Sequence, residues 1–288
     1  MVRATLVSIP TDTEPLDGLF YLPDGPARGA VLLLHGNTMN FYVGASRFLP
    51  PRLTRLGLAC LAFNRRGHDV LSTRASRALE GAAYQTTRQA IADNRIAAGW
   101  LAAQGFPRPV VIGHSHGGTL AVRHVADHPT TRALVLLSAH CGGARMVELA
   151  SRAGLLARDR LAEITTLARA LVAAGRGREL LLLPGWWHVT SAASFLDLLT
   201  EVPDILELAP RVGCPTLYVR GDREPADLYP AERFQARAGG PCTVEIVPDC
   251  EHFYVGREDT VAGLVCAWLA RTLHLEPATP AGYRPDGG

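Results

Sequence analysis

The sequence predicts an α/β protein whose doubly wound, mostly parallel sheet carries an inserted helical cap. Three observations predict it. Short apolar, β-branched runs alternate with segments of helical period through most of the chain, the pattern of repeated βα units. One of those runs, Val110-Val111-Ile112-Gly113, passes directly into His114-Ser115-His116-Gly117-Gly118, a strand-to-helix turn built on Gly-x-Ser-x-Gly. Between about residues 144 and 208 the alternation gives way to helical period alone.

Residues 3–9 and 17–22 read as extended segments with the turn residues Thr11-Asp12-Thr13-Glu14-Pro15 between them, an antiparallel edge hairpin. Ala30-Val31-Leu32-Leu33-Leu34 is a buried strand emptying into His35-Gly36-Asn37. Helical spacing over residues 44–57 is interrupted by Pro50-Pro51, and the strand Leu58 to Phe63 ends in Asn64-Arg65-Arg66-Gly67-His68-Asp69. From Gln85 to Gln104 the pairs Ile96/Trp100 and Ala97/Leu101 share a helix face, and Gly105 is a fitting stop. The elbow strand, a helix from about Gly117 to His128, and the strand Ala133 to Ser138 continue the rhythm. After the helical stretch, in which no strand fits, come a strand at Cys214–Gly221, a helix near Pro230–Arg237, a strand at Thr243–Val247 and a helix at Glu258–Leu273. The expected division is a core of residues 1–143 and 209–275, a cap of residues 144–208 and a flexible Pro- and Gly-rich tail, 276–288.

Composition bounds the function. With 288 residues, 48% hydrophobic and 19% charged, the chain can bury one large core. A net charge of +2 with no run of like charges does not favour nucleic acid or an anionic membrane as partner. The basic residues are all arginine, so Schiff-base and lysine-base mechanisms on this chain are excluded. The N-terminal residues lack the apolar core of a signal peptide and no apolar run reaches spanning length, so the expected location is cytoplasmic. Six cysteines without C-x-x-C spacing read as reduced, mostly buried thiols, with a Cys242–Cys250 disulfide as the alternative.

The chemistry gathers at the carboxyl ends of strands, where an open parallel sheet places its ligands. Ser115 sits at the sharp turn, its hydroxyl lifted over the sheet at the start of a helix. A serine hydroxyl needs a base to take its proton, and a histidine held by a carboxylate serves. Ser115, Glu224 and His252 lie on three such loops in the order Ser…acid…His that accompanies this elbow. Oxyanion donors are expected from the N–H of His116, next after the serine, and from the loop after the earlier strand, at Asn37. Arg65 either holds an anionic substrate group or locks its turn. Trp186 and Trp187 either line an apolar cavity or fasten the cap to the core, and His188 beside them is a further candidate for touching substrate. His114 and His116 flank the serine, where packing or local hydrogen bonding is expected of their side chains.

Together these segments resemble the α/β-hydrolase fold family over nearly the whole chain. His35-Gly36-Asn37 is similar to its oxyanion loop, Asn64-Arg65-Arg66-Gly67-His68 to its Arg-Gly-His turn, Gly113–Gly117 to its elbow, Gly221-Asp222-Arg223-Glu224 to its acid turn and Glu251-His252-Phe253 to its terminal histidine loop. The family's acid is more often aspartate; here Glu224 is preferred to Asp222 because it stands three residues after the glycine. The resemblance implies a serine hydrolase acting on a small carboxylic ester, with an apolar or aromatic moiety, and neither metal nor organic cofactor. Thioester, lactone, amide and carbon–carbon hydrolysis, cofactor-free perhydrolysis or acyl transfer, and a non-catalytic binding descendant remain open, as does oligomeric state.

Overall fold

A computed structural model of the chain describes residues 3–73, 77–185 and 188–275, of which His188 is described by its backbone alone. Eight strands form one sheet: β1 (Arg3–Ile9), β2 (Leu16–Leu22), β3 (Gly29–Leu34), β4 (Leu58–Phe63), β5 (Val110–His114), β6 (Leu134–Leu137), β9 (Thr216–Gly221) and β10 (Cys242–Val247), while β7 (Leu180–Leu183) and β8 (His188–Ser191) make a separate hairpin. The spatial order is β1-β2-β4-β3-β5-β6-β9-β10. β1 and β2 are antiparallel to their neighbours and the other six strands run parallel. The edge hairpin, the parallel core and the strand positions therefore follow the alternation seen in the sequence.

Successive residues of the central strands serve opposite faces of the sheet, which explains why these strands read as unbroken apolar runs. Leu32, Leu34, Leu61 and Leu136 pack with Ala97 and Leu101 of the helix Thr87–Ala103 and with Val122 and Val125 of the helix His116–Asp127. Val31, Leu33, Ile112, Val135 and Val219 face the other way, onto Leu49, Leu53 and the inward residues Val261, Val265, Trp268 and Leu269 of the last helix, Glu258–Thr272. Pro50-Pro51 restarts the chain between two short helices, Ala45–Phe48 and Pro50–Leu53, because a proline cannot supply the N–H that would continue the first. Thr86 caps Thr87–Ala103 with a reciprocal Thr86/Gln89 box.

The segment between β6 and β9 differs from its expectation in one respect. Helices Gly143–Arg152, Leu161–Ala173 and Ala192–Thr200 are present, yet β7 and β8 pair antiparallel where only helical structure was expected. Leu180-Leu181-Leu182-Leu183 has no polar residue to reveal a period, and in the fold alternate leucines are exposed and buried, as a strand demands. Leu181 and Leu183 point into a third cluster with Met146, Val147, Ile164, Leu171 and Phe195, to which the core contributes Leu228 and Tyr229. Trp186 and Trp187 and the tail 276–288 lie outside the described residues.

All six cysteines are free thiols, so Cys242 and Cys250 are not bridged. Among the described residues no helix is long and apolar enough to cross a membrane, and no group of three or more His, Cys, Asp or Glu could hold a metal ion.

The turn after β4 is fixed by buried ionic contacts. Asp93 is fully buried on the helix Thr87–Ala103, and its carboxylate accepts from the Arg66 N–H at 2.9 Å and from Arg66 Nε at 2.8 Å, with Nη2 at 2.7 Å. Burial raises the Asp93 pKa and these bonds to Arg66 oppose it. Breaking a buried pair leaves one charge uncompensated, so Asp93→Ala should lose about 3–5 kcal/mol of stability in urea unfolding, and Asp93→Asn less because its amide oxygen still accepts. An effect below about 1 kcal/mol would mean that Arg66 is solvated in the native state.

Candidate functional site

The sheet reverses its winding at β3, which has β4 on one side and β5 on the other, and the loops leaving the carboxyl ends of β3 and β5 face each other there. Ser115 lies in that crevice with φ +55° and ψ −124°, a conformation that costs a non-glycine residue on the order of 1–3 kcal/mol. The neighbouring glycines make the turn possible. A Cβ on Gly117 would stand 2.2 Å from the Leu34 carbonyl oxygen, and one on Gly113 would stand 2.3 Å from that of Gly117. The Ser115 N–H continues the sheet to the Leu137 carbonyl at 2.8 Å, so the strained residue is anchored by the ladder it interrupts.

His252, on the loop after β10, places Nε2 3.0 Å from Ser115 Oγ and Nδ1 2.7 Å from Glu224 Oε1. Because Nδ1 faces a carboxylate it carries the proton, and Nε2 then offers its lone pair to the serine O–H. Glu224 is itself held from three sides. Its Oε2 accepts from the Gly221 N–H at 2.8 Å and from the Ser138 hydroxyl at 2.6 Å, and Arg220 Nη1 donates to its backbone carbonyl at 3.1 Å. The buried Tyr254 hydroxyl donates in turn to Ser138 Oγ, 2.6 Å away. Burial raises the Tyr254 pKa well above the ordinary tyrosine range, with the Glu224 charge acting in the same sense, so it remains a donor.

Of the two acids the sequence offered, Glu224 thus meets the histidine and Asp222 does not. Asp222 Oδ1 instead accepts from the Cys250 N–H at 3.2 Å, tying the acid turn to the histidine loop, and backbone hydrogen bonds of this kind lower its pKa. Ser138 and Tyr254 escaped the sequence analysis. Ser138 closes β6 with φ +46° and Tyr254 stands two residues past His252, but neither has a sequence signal apart from its place at a strand end or in a loop.

Asn37, Ser115 and His116 all line one cavity between the sheet and the helices of the insert. Asn37 follows β3 and the His116 backbone opens the helix His116–Asp127. His35 fixes the first of these loops. Its Nε2 accepts the Arg65 N–H at 3.1 Å and its Nδ1 donates to the Gly36 carbonyl at 2.8 Å. Burial, then the Arg65 charge, pushes the His35 pKa well below its ordinary value, so the ring stays neutral.

Arg65 corrects one expectation. It is fully buried, donates from Nη2 to the His35 carbonyl at 2.8 Å and does not line the cavity, so it locks its turn instead of holding a substrate anion. Desolvation lowers its pKa to about 10. The Trp186 and Trp187 expectation, and that for the His188 ring, fall outside the described residues.

The histidines beside the serine are local structure, as expected, with more consequence than packing alone. His114 Nε2 donates to the His252 backbone carbonyl at 2.9 Å and its ring lies 5.0 Å from the His252 ring, so the elbow strand itself holds the histidine loop. His140, after β6, accepts the Gly142 N–H on Nδ1 at 3.2 Å, which leaves its Nε2–H for His116 Nδ1 at 3.3 Å. Burial depresses the pKa of both His114 and His140 to about 3, helped by the nearby His252.

These depressed values fix a direction. An unfolded histidine takes up a proton near pH 6.5, whereas folded His114 and His140 refuse it until about pH 3, so stability is lost as pH falls through that interval. Each such group contributes up to about 1.4 kcal/mol per pH unit. His114→Phe should therefore be less stable than the wild type at pH 7.5 but show a shallower fall in unfolding free energy between pH 6.5 and 4. Parallel pH profiles for the two proteins would contradict the buried neutral state of His114.

The comparisons with known proteins agree with this architecture. The chain is similar in structure to GrgF from Penicillium sp. sh18 (TM-score 0.73, 14% identity, covering 94% of this chain and 99% of that one). It is similar also to a highly thermostable carboxyl esterase from Bacillus coagulans (TM-score 0.70, 13% identity, 94% and 99%) and to Est1E from Butyrivibrio proteoclasticus (TM-score 0.69, 16% identity, 93% and 99%). At these identities the likeness is one of fold. No curated protein matches the chain by sequence. The model of the alpha/beta hydrolase family matches residues 31–264, most of the chain from β3 into the last helix, and the protein belongs to that family.

Proposed function

We propose that this protein is a serine hydrolase that cleaves a carboxylic ester through an acyl-enzyme. The observation that carries the reading is the relay Ser115 Oγ to His252 Nε2 at 3.0 Å and His252 Nδ1 to Glu224 Oε1 at 2.7 Å, opening on a cavity. His252 takes the serine proton as Ser115 attacks the substrate carbonyl, and Glu224 stabilises the imidazolium without itself taking the proton. The N–H groups of Asn37 and His116 hold the negative charge on the carbonyl oxygen. His252 then returns the proton to the leaving alcohol, and a water molecule activated by the same imidazole releases the acid and restores Ser115. An ester is chosen over other acyl compounds on family membership and on the carboxyl esterase among the similar structures.

The test has two parts. A fluorophosphonate should label the wild-type protein once, at Ser115, and fail to label Ser115→Ala; absence of labelling in the folded wild type would sink the proposal. Hydrolysis of p-nitrophenyl butyrate should fall about 10³–10⁴-fold in kcat for Glu224→Ala, which leaves the imidazole unoriented. Asp222→Ala should fall far less, since its bond only joins two loops. The reverse ranking would move the acid's role to Asp222.

A further inference from the structure

The cavity wall is mixed. Apolar side chains, among them Met146, Ala150, Leu156, Val202 and Leu228, make part of it. Where the insert meets the start of the helix Thr87–Ala103 it is polar, lined by Gln85, Ser194 and Asp197 among others. The Asp197 carboxylate uses one oxygen, Oδ2, to accept both the N–H and the hydroxyl of Thr87 at 2.7 Å, and its Oδ1 takes neither bond. Ser194, one helical turn earlier on the same face, accepts the Ser191 hydroxyl at 2.9 Å on Oγ and keeps its own proton to donate. Gln85 Nε2 is buried without a hydrogen-bond partner.

A buried amide donor that nothing satisfies costs about 1–3 kcal/mol unless a ligand or water completes it. Here it stands two residues from Thr87, whose N–H and hydroxyl hold a carboxylate with one oxygen to spare. The set is an acceptor beside two donors. An ammonium ion would answer Asp197 and leave Gln85 unpaired, and a carboxylate would be repelled by Asp197. A hydroxyl group donates to Asp197 and accepts from Gln85 or Ser194.

We infer that Gln85, Ser194 and Asp197 form a subsite for a hydroxyl-bearing moiety, so that the preferred substrate is an ester with a phenolic or polyol hydroxyl on one side of the scissile bond and apolar surface between. The subsite deepens the ester-hydrolase reading of this cavity and rests on it for the word ester.

Two substrate pairs test the subsite: methyl hydroxyphenylpropanoate against methyl phenylpropanoate, and glyceryl monobutanoate against propyl butanoate. The first places the hydroxyl on the acyl side, the second on the alcohol side. In one pair the wild type should prefer the hydroxylated member by about tenfold or more in kcat/KM, and that ratio should fall towards unity in Gln85→Leu and in Asp197→Asn, which keeps an acceptor for Thr87. A ratio near one in both pairs for the wild type overturns the subsite, as does a ratio that neither substitution changes. If the wild type hydrolyses no ester, p-nitrophenyl butyrate included, the hydrolase reading has failed by itself. Calorimetric binding of the same pairs to the Ser115→Ala protein then decides the subsite: tighter binding of a hydroxylated member upholds it and equal binding overturns it.

Discussion

The structure depends on one turn that the backbone can make only at a cost. Ser115 is held at φ +55° between a strand embedded in the centre of the sheet and the helix that follows it. The two glycines of the turn let neighbouring carbonyls approach where any Cβ would collide. Strain of this kind persists because the ladder on both sides of β5 and the packed helix behind it over-determine the position. The backbone of a serine presented in this way is fixed, so whatever meets its hydroxyl must be brought to it by other loops.

Those loops are positioned by the same strand that carries the serine. His114, the residue before the turn, donates to the backbone of His252, and Asp222 ties the Glu224 turn to the residue at the head of the histidine loop. The Glu224 carboxylate then accepts from an N–H, a hydroxyl and an imidazole at once, which orders the side chain without neutralising it. A flexible glutamate, one methylene longer than the aspartate more common at such turns, needs that many partners to hold a single geometry. Ser138, itself bonded to Tyr254, supplies one of them.

Buried histidines recur through the site in neutral form. His35 shapes the loop that carries Asn37, His114 holds His252, and His140 fixes the tautomer of His116. Their shared low pKa follows from desolvation, and it keeps further positive charge away from the imidazole proposed to cycle through a charged state. The cavity above them is divided between apolar and polar walls because it lies at a seam: one side is the insert's own small core, the other the capped start of a core helix, where Asp197 replaces solvent for Thr87.

The strand and helix alternation, the parallel sheet with its antiparallel edge, the turn at Ser115 and the order of Ser115, Glu224 and His252 were legible in the residues, because apolar period, glycines at fixed offsets and residue type at a strand end are local properties of the string. It also favoured Glu224 over Asp222 from spacing to Gly221, and the fold brings Glu224 to His252. Tertiary structure alone decided the rest. The β7–β8 hairpin was hidden because four successive leucines carry no period until one face is buried. Arg65 could hold an anion or lock a turn, and only its enclosure behind His35 selects the second. The roles of Ser138, Tyr254, His140 and Asp197 arise from contacts between residues far apart in the chain, each made across a packed interface whose distances no sequence pattern encodes.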